Sequence, residues 1–292
     1  MNKNIIAVAI IALIIGAVLG YIFSLSKISE LESKINKLQQ ELEHYKTGAI
    51  TEKEGLVEKI RKRGKLIVGT SADWPPFEYI DKNGQFAGID IELAKRIADE
   101  LGVELEIKDM KFAALIESLV NGKIDLILAD MTPTAEREKV VDFSIPYYFS
   151  KGNAVITLKD KSLNSEEDLY GKKIGVQLGT IQEEWAKENL EGKAEIKSYD
   201  KVYPDLLMVL KRGDVDAIIV GDKIADVLTK KDDTIKIAFY VGGTGIGAAV
   251  AMPQGAEDLK YIVNSVIEKL LSSGEMEKIF QQEIDKWLTS QG

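Results

Sequence analysis

The sequence predicts an α/β protein of two units, preceded by a membrane-spanning helix and a short helical stalk. Three observations lead to this prediction. Residues 5–23 carry no charge, residues 28–45 repeat apolar side chains at helical spacing, and residues 66–292 alternate short apolar strand segments with amphipathic helical segments. A chain of 292 residues that is 45% hydrophobic can also bury a substantial core.

The composition excludes several classes of function. The chain has no cysteine and one histidine, His44, which excludes disulfide scaffolds, thiol nucleophiles, Cys/His zinc sites and Ser-His-Asp triads. We therefore expect no metal and no cofactor. Residues 66–292 contain 27 basic and 40 acidic residues, a formal net charge of −13. Such an acidic body repels phosphates, so nucleic acid and anionic lipid are not expected partners for it.

The amino-terminal apolar segment is long enough to enter a membrane. It spans 19 uncharged residues, close to the roughly 20 that a helix needs to cross hydrocarbon. The positive charge of Lys3 before it favours a cytoplasmic amino terminus and an exported body. We predict an uncleaved signal-anchor over residues 1–23. The alternative is a signal peptide cleaved near Ser24-Leu25-Ser26, although this apolar run is longer than most signal cores and no cysteine could receive a lipid.

A short heptad pattern follows the apolar segment. Isoleucines and leucines alternate at spacings of three and four, which is typical of a parallel two-stranded coiled coil. The core positions are Ile28, Leu31, Ile35, Leu38, Leu42 and Tyr45. We assign residues 24–48 to a coiled-coil stalk and residues 49–65 to a linker. Three heptads leave two interpretations open, a homodimer through residues 28–45 or a single helical stalk.

The body alternates predicted strands and helices in the order expected for parallel sheets covered by helices. The predicted strands are Lys65–Gly69, Glu104–Ile107, Ile124–Leu128, Lys173–Val176, Ala194–Lys197, Val215–Val220 and Ile235–Phe239. The predicted helices are Ile89–Leu101, Phe112–Val120, Ile181–Asn189, Tyr203–Leu210 and Ile224–Leu228. A pause near residues 151–161 divides this series into two smaller α/β units.

Ligands of such sheets bind beyond the carboxyl ends of the strands, where helix N-termini offer free N–H groups. The polar and aromatic residues at these positions are Ser71, Trp74, Asp130, Met131, Thr132, Arg137, Gln177, Thr180 and Asp222. Thr180 and Glu183 have the spacing of a capping box, which marks a helix start that a carboxylate could approach. An ordinary helix start and a solvated surface arginine are the alternatives for Thr180 and Arg137.

Ordered motifs along the body resemble a known family. The segment Gly88–Ala98 looks like the signature of polar amino-acid-binding proteins, the extracellular solute-binding components of ABC transporters. The resemblance continues through residues 124–128, 131–137, 141–144, 174–180 and 213–217, and it covers essentially all of residues 64–290.

The resemblance implies a two-lobed periplasmic-binding-protein fold of type II. Each lobe would be a parallel-stranded sheet with helices on both faces, and two crossings between the lobes would act as a hinge. By position, lobe 1 would comprise residues 66–150 plus 244–292, and lobe 2 residues 153–240. The hinge would lie near residues 150–153 and 241–245, where several glycines can absorb backbone changes.

The resemblance also implies roles for individual residues. Arg137 would hold the α-carboxylate of an amino acid, assisted by Thr132 and by the amide of Ile181 from the second lobe. Asp222 would hold the α-ammonium group. Trp74 and Phe112 would cover the ligand's side chain from lobe 1.

The chain departs from the family pattern in ways that concern the choice of ligand. Asp130 stands where small residues are usual, and Ser71 stands where binders of basic amino acids commonly have aspartate. Gln177 and Gln182 would face the side-chain pocket from lobe 2. An added carboxylate favours a cationic or amide side chain over an acidic one, so arginine, lysine or glutamine is expected.

These observations predict a membrane-anchored protein on the extracytoplasmic side that delivers an amino acid to an ABC permease. Two other functions stay open from the sequence. An enzyme resembling cyclohexadienyl dehydratases would need a general acid, for which Asp130 or Glu183 are the candidates. A sensory ligand-binding module would need a partner, because the chain contains no output domain.

Overall fold

The computed structural model describes residues 33–40 and 54–290, which belong to two compact units, residues 1–54 and 55–292. In the first unit, residues 33–40 are helical and exposed. The predicted signal-anchor and the remainder of the predicted stalk lie outside the described residues. Within the described ranges, no helix has the length and apolar character needed to cross a membrane.

The second unit begins with a helix, followed by the strands of its first five-stranded sheet, the strands of a small three-stranded sheet, and the helices between them. In chain order these are α1 (Leu56–Arg63), β1 (Lys65–Thr70), β2 (Asp73–Trp74), β3 (Glu78–Ile80), β4 (Phe86–Ala87), α2 (Ile89–Leu101), β5 (Glu104–Asp109), α3 (Leu115–Val120), β6 (Leu126–Ile127), β7 (Val141–Phe143) and β8 (Tyr148–Ser150). The small three-stranded sheet is formed by β2, β3 and β4. Helix α2 has the predicted bounds, because its apolar face packs in the core and Gly102, with φ 72°, ends it.

The chain then builds a second sheet and returns to the first. The elements are β9 (Asn153–Leu158), β10 (Lys173–Gln177), α4 (Ile181–Leu190), β11 (Glu195–Tyr199), α5 (Leu207–Arg212), β12 (Ala217–Gly221), α6 (Asp222–Lys231), β13 (Ile235–Val241), β14 (Gly245–Ala248), β15 (Ala251–Pro253), α7 (Glu257–Ser272) and α8 (Glu275–Ser290). We call the first sheet with its helices lobe 1 and the second sheet with its helices lobe 2.

Both lobes contain a mixed sheet of five strands, which corrects the prediction of parallel sheets. The strand orders are β5-β1-β6-β15-β7 in lobe 1 and β11-β10-β12-β9-β13 in lobe 2. Four strands of each sheet run in the same direction, and only β15 in lobe 1 and β9 in lobe 2 run antiparallel to their neighbours. The reason is the point of entry. Strand β9 begins at Asn153 beside Gly221, the carboxyl end of β12, so it must run back along the sheet.

Two crossings connect the lobes at this same edge. The chain passes from β8 to β9 over residues 151–152 and from β13 to β14 over residues 242–244. Strands β8 and β14 pair antiparallel, with Gly245 opposite Ser150. The crossings therefore form a narrow two-stranded ribbon, to which both sheets are attached by their carboxyl edges.

The carboxyl-terminal helix α8 contacts both lobes. Its Trp287 is fully buried and packs edge-to-face on Tyr79 of β3 and on Tyr203 of lobe 2, with ring centroids 4.9 and 4.8 Å away. The ammonium group of Lys231, at the end of α6, lies 5.4 Å from the same indole ring. Helix α8 is thus a further link between the lobes, separate from the ribbon.

Candidate functional site

A cavity lies between the lobes, at the carboxyl edges of the two sheets. Ten of the twelve predicted site residues line it: Trp74, Phe112, Asp130, Thr132, Arg137, Gln177, Thr180, Ile181, Gln182 and Asp222. Lobe 1 contributes the first five and lobe 2 the others, so the cavity takes its shape from the contact between the lobes.

Arg137 is held by one carbonyl from each lobe. Its guanidinium donates to the Thr132 carbonyl oxygen at 2.6 Å and to the Gly179 carbonyl oxygen at 3.1 Å. The guanidinium carbon also lies 5.4 Å from the centre of the Phe112 ring. Burial lowers the pKa of Arg137 to about 10, so the side chain stays charged at neutral pH. Its remaining N–H donors can bind a carboxylate.

The start of α4 faces Arg137 across the cavity. Thr180 is the N-cap and its hydroxyl accepts from the Glu183 amide at 3.2 Å, as the capping-box spacing predicts. The Glu183 carboxylate, however, accepts from Gly179 rather than from the N-cap amide, at 2.7 Å. Gly179 has φ 82°, and a Cβ there would lie 3.0 Å from Ala113 of lobe 1, so the position requires glycine. This close approach presents the helix N-terminus to the cavity, where it favours an anion.

Asp222, the first residue of α6, is buried and accepts four hydrogen bonds. The donors are the hydroxyls of Tyr148 and Ser150, at 2.6 and 3.2 Å, and the amides of Lys151 and Lys223, both at 2.9 Å. Three of these donors, on Tyr148, Ser150 and Lys151, lie in or directly after β8 of the ribbon. Burial raises the pKa of the Tyr148 phenol far above its usual value, and its hydrogen bond to Asp222 adds to this rise. Tyr148 therefore remains a neutral donor.

Asp130 brings a second carboxylate to the cavity. It accepts a hydrogen bond from the Trp74 indole N–H at 2.8 Å, and its own amide donates to Asp90 at 2.7 Å. Burial raises the pKa of the Asp130 carboxyl well above its usual value, and the nearby negative charge of Asp90 contributes to the rise. An ionised Asp130 in the closed cavity therefore requires a positive charge beside it.

The two glutamines of lobe 2 have different hydrogen-bond partners. The Gln177 amide donates across the cleft to the Asp73 carboxylate, at 3.2 and 3.4 Å, and to the Asp200 carbonyl oxygen at 3.1 Å. Gln182 stays within lobe 2 and donates to Asn153 at 2.8 Å. Gln177 is consequently a contact between the lobes as well as a lining residue.

Two predicted residues do not line the cavity. Met131 is fully buried in an apolar cluster that includes Leu115 and Val141. Ser71 is also buried, and its hydroxyl lies 3.5 Å from Asp73.

Six lining residues were not predicted: Ala129, Tyr148, Ser150, Asn153, Gly221 and Gly247. Three of these residues lie in β8 or at the start of β9, where the chain crosses between the lobes. That stretch has no helical or strand periodicity, so only the antiparallel entry of β9 could have located them.

The sequence of the two lobes matches a known protein family. The model for bacterial extracellular solute-binding proteins, family 3, matches residues 66–288. The chain belongs to this family. The resemblance inferred from the motifs is thereby confirmed, and the protein is an amino-acid-binding solute-binding protein of the ABC transporter type with a two-lobed α/β fold.

Two curated relatives illustrate the range of ligands in this family. The chain is 38% identical over 231 residues to the arginine-binding extracellular protein ArtP of Bacillus subtilis, covering 78% of this chain and 87% of the relative. It is 34% identical over 235 residues to the L-cystine-binding protein TcyJ of Escherichia coli, covering 78% and 86%. Both of these family 3 relatives are named as binding proteins and neither as an enzyme.

A solved structure of the family supports the same conclusion. The chain is 38% identical to AbpA, an amino acid ABC transporter substrate-binding protein from Streptococcus pneumoniae that was crystallised with L-arginine. The match has a TM-score of 0.75 and covers 80% of this chain and 100% of the other.

Proposed function

We propose that this family 3 protein captures an amino acid with a cationic or amide side chain between its lobes and delivers it to an ABC permease. One observation supports this proposal above the others. The Arg137 guanidinium and the start of α4 line the same cavity as the carboxylates of Asp222 and Asp130. An amino acid has the complementary pair of charges, a carboxylate and an ammonium group.

The roles of the residues follow from their partners. Arg137, Thr132 and the Ile181 amide bind the α-carboxylate, since they provide the cation and the N-terminal helix amide. Asp222 binds the α-ammonium group. Its carboxylate already accepts four hydrogen bonds from the protein, so the ammonium group replaces the hydroxyls of Tyr148 and Ser150 as donors. Trp74 and Phe112 pack on the side chain, and Asp130, Gln177 and Gln182 surround its polar end.

Arginine is the ligand that these surroundings favour most. Aromatic rings and carboxylates are the usual partners of a guanidinium group. Both Trp74 and Asp130 face the cavity, and two of the relatives described above are named for, or crystallised with, arginine. Lysine and glutamine remain in the proposed ligand class, and cystine enters the comparison because of the TcyJ relative.

The test is a ligand screen on the full chain in detergent, after unfolding and refolding to remove any bound molecule. Arginine, lysine, glutamine, cystine and glutamate are compared by thermal shift and then by calorimetry. A ligand that binds only the folded protein at 1,000 times its Kd stabilises it by about 4 kcal/mol. Stabilisation by none of these amino acids would refute the function, and tight binding of glutamate would refute the ligand class.

We further propose that residues 1–23 remain as a membrane anchor and that the binding lobes lie on the extracytoplasmic side. The uncharged length of this segment supports the proposal. Whether residues 28–45 form a homodimer is a separate question. Ile35 and Leu38 of the predicted seam are 52% and 61% exposed in the single chain, as expected for side chains that a second copy would cover. Sedimentation of the full chain in detergent distinguishes a monomer from a dimer.

A further inference from the structure

Asp130 occupies a backbone conformation that fixes its side chain at the cavity. It has φ 43° and is the one non-glycine residue of the described ranges, 33–40 and 54–290, with a positive φ. This left-handed conformation is uncommon for residues other than glycine, although asparagine and aspartate tolerate it best. The backbone amide of Asp130 donates a hydrogen bond to Asp90, and the carboxylate of Asp130 accepts one from the Trp74 indole, so both the backbone and the side chain are held. The carboxylate is therefore presented to the ligand at a set position.

The groups that face Asp130 are acidic or neutral. Asp90 on α2 and Asp222 on α6 both raise its pKa by their negative charge. Glu78 on β3 is fully buried beside Asp90, and burial raises the pKa of its carboxyl well above the usual value. Tyr148 on β8 faces Asp130 as a neutral phenol. None of these groups supplies a positive charge.

The basic side chain of the site, Arg137, is hydrogen-bonded to groups other than Asp130. Arg137 donates to the carbonyl oxygens of Thr132 and Gly179. Among the described residues, no ion pair within 4 Å includes Asp130. A positive charge for Asp130 must therefore come with the ligand.

Closure of the lobes removes water from Asp130. Gly221 of lobe 2 lies against it, so that a Cβ at Gly221 would be 3.3 Å from Trp74 Cζ2 and 3.7 Å from Asp130 Oδ2. In the open protein this side of Asp130 would face solvent, so the pKa of its carboxyl would be lower than in the closed protein. In the closed protein the same carboxyl must be either paired with a cation or protonated.

We propose that Asp130 makes the choice between cationic and neutral amino acids depend on pH, because it is ionised in the complex with a cationic ligand and protonated in the complex with a neutral one. This inference rests on the proposed function and assigns to Asp130 a specificity-determining role at the same site. It requires that the ligand's side chain meets Asp130 while its α-ammonium group meets Asp222.

The direction of the pH dependence follows from proton linkage. Binding of glutamine would take up one proton at Asp130, so glutamine affinity falls up to tenfold per pH unit at pH values above the pKa that Asp130 has in the open protein. Asp130 is ionised both before and after arginine binds. Arginine binding therefore takes up no proton at Asp130, and this group adds no pH dependence to the arginine affinity. The ratio of the glutamine Kd to the arginine Kd should therefore rise with pH, by up to about tenfold per unit.

A second buried carboxyl, that of Asp73, also titrates, and the two Kd values are therefore compared as a ratio. Asp73 is buried on closure against Gln177, with Ser71, Lys201 and Asp109 around it, and burial raises its pKa to about 7. Closure buries Asp73 whichever ligand is bound, so its titration affects both Kd values equally. It cancels in the ratio.

The experiment is calorimetry of arginine and glutamine with the full chain in detergent, from pH 5 to pH 8. The parent protein should show the rising ratio, and Asp130→Asn should show a ratio that is constant within twofold. Asparagine is compatible with the left-handed conformation, so this variant should fold. Asp73→Asn is the matched control, and it should change both affinities but keep the slope of the ratio.

The outcomes separate the two proposals. Binding of both ligands with parallel pH profiles would mean that Asp130 serves the α-ammonium group, and it would overturn this inference alone. A slope that persists in Asp130→Asn would also overturn it. Failure of both ligands to bind the parent protein at any pH would overturn the proposed function, and this inference with it.

Discussion

Arg137 connects the ligand to lobe closure at the scale of a single side chain. Its carbonyl partners come from different lobes, so a guanidinium that binds a carboxylate is at the same time a contact across the cleft. We predict that Arg137→Ala weakens amino-acid binding by about 2–5 kcal/mol, the usual effect of removing one partner of a buried charge pair. Calorimetry measures the loss. Circular dichroism should be unchanged, and an affinity within threefold of the parent would remove Arg137 from the site.

Lys139 provides the matched control for this change. It lies on the same turn as Arg137 but is exposed and paired with Glu136. Lys139→Ala should leave the affinity unaltered, since it removes the same sign of charge from a solvated position.

Asp73 gives the binding of any amino acid a pH dependence of its own. Its hydrogen-bond partner Gln177 belongs to lobe 2, as does the nearby Lys201, so its burial depends on the contact between the lobes. Because burial raises the pKa of Asp73 to about 7 in this arrangement and opening would expose the carboxyl to water, closure takes up a proton at pH values up to about 7. We predict that arginine affinity falls as pH rises through this window and levels above it. Titrations in buffers of different ionisation enthalpy measure the proton, and proton uptake that is unchanged in Asp73→Asn would contradict the assignment.

Helix α8 shows how an element far from the ligand stabilises the arrangement of the lobes. Trp287 fills the space between Tyr79 and Tyr203, and it is fully buried. We predict that Trp287→Ala lowers the free energy of unfolding by about 3–5 kcal/mol, as large-to-small changes in a core do. Urea denaturation measures this loss. Tyr261→Ala on α7, where the side chain is 76% exposed, should change stability by less than about 0.5 kcal/mol.

The whole molecule is predicted to be tethered. Residues 1–23 should remain in the exported protein and carry it into the membrane fraction until detergent is added, because 19 uncharged residues can cross the hydrocarbon. Fractionation and amino-terminal sequencing decide the question. A mature terminus at Lys27 would instead identify the segment as a cleaved signal, and deletion of residues 1–23 is the control that should abolish export.

The sequence predicted most of the parallel strands and helices, because each has a clear apolar period and a polar or glycine end. It also predicted ten lining residues, partly from their places after parallel strands and partly from the family motifs. It did not predict the antiparallel entry of β9 and β15, which depends on where the chain crosses between sheets. Tyr148 and Asn153 were missed for that reason, since their role comes from the crossing and not from a local pattern.

Contacts across the cleft extend beyond the cavity. Lys111 of lobe 1 pairs with Asp200 of lobe 2 at 2.7 Å, next to the bond between Gln177 and Asp73. Both residues of the Lys111–Asp200 pair are largely exposed, so salt should weaken it. The buried contacts of Asp73 and Arg137 are screened less, and they are the ones on which affinity should depend at physiological ionic strength.

The position of Trp287 also has an optical consequence. The chain has three tryptophans, of which Trp74 lines the cavity and Trp287 lies between the lobes, away from the ligand. An indole in an apolar surround emits at shorter wavelength than one in water, so separation of Tyr203 from Trp287 would move its emission to the red. With Trp74 and Trp185 replaced by phenylalanine, the remaining fluorescence would report the opening of the lobes without a dye and without contact with the bound molecule.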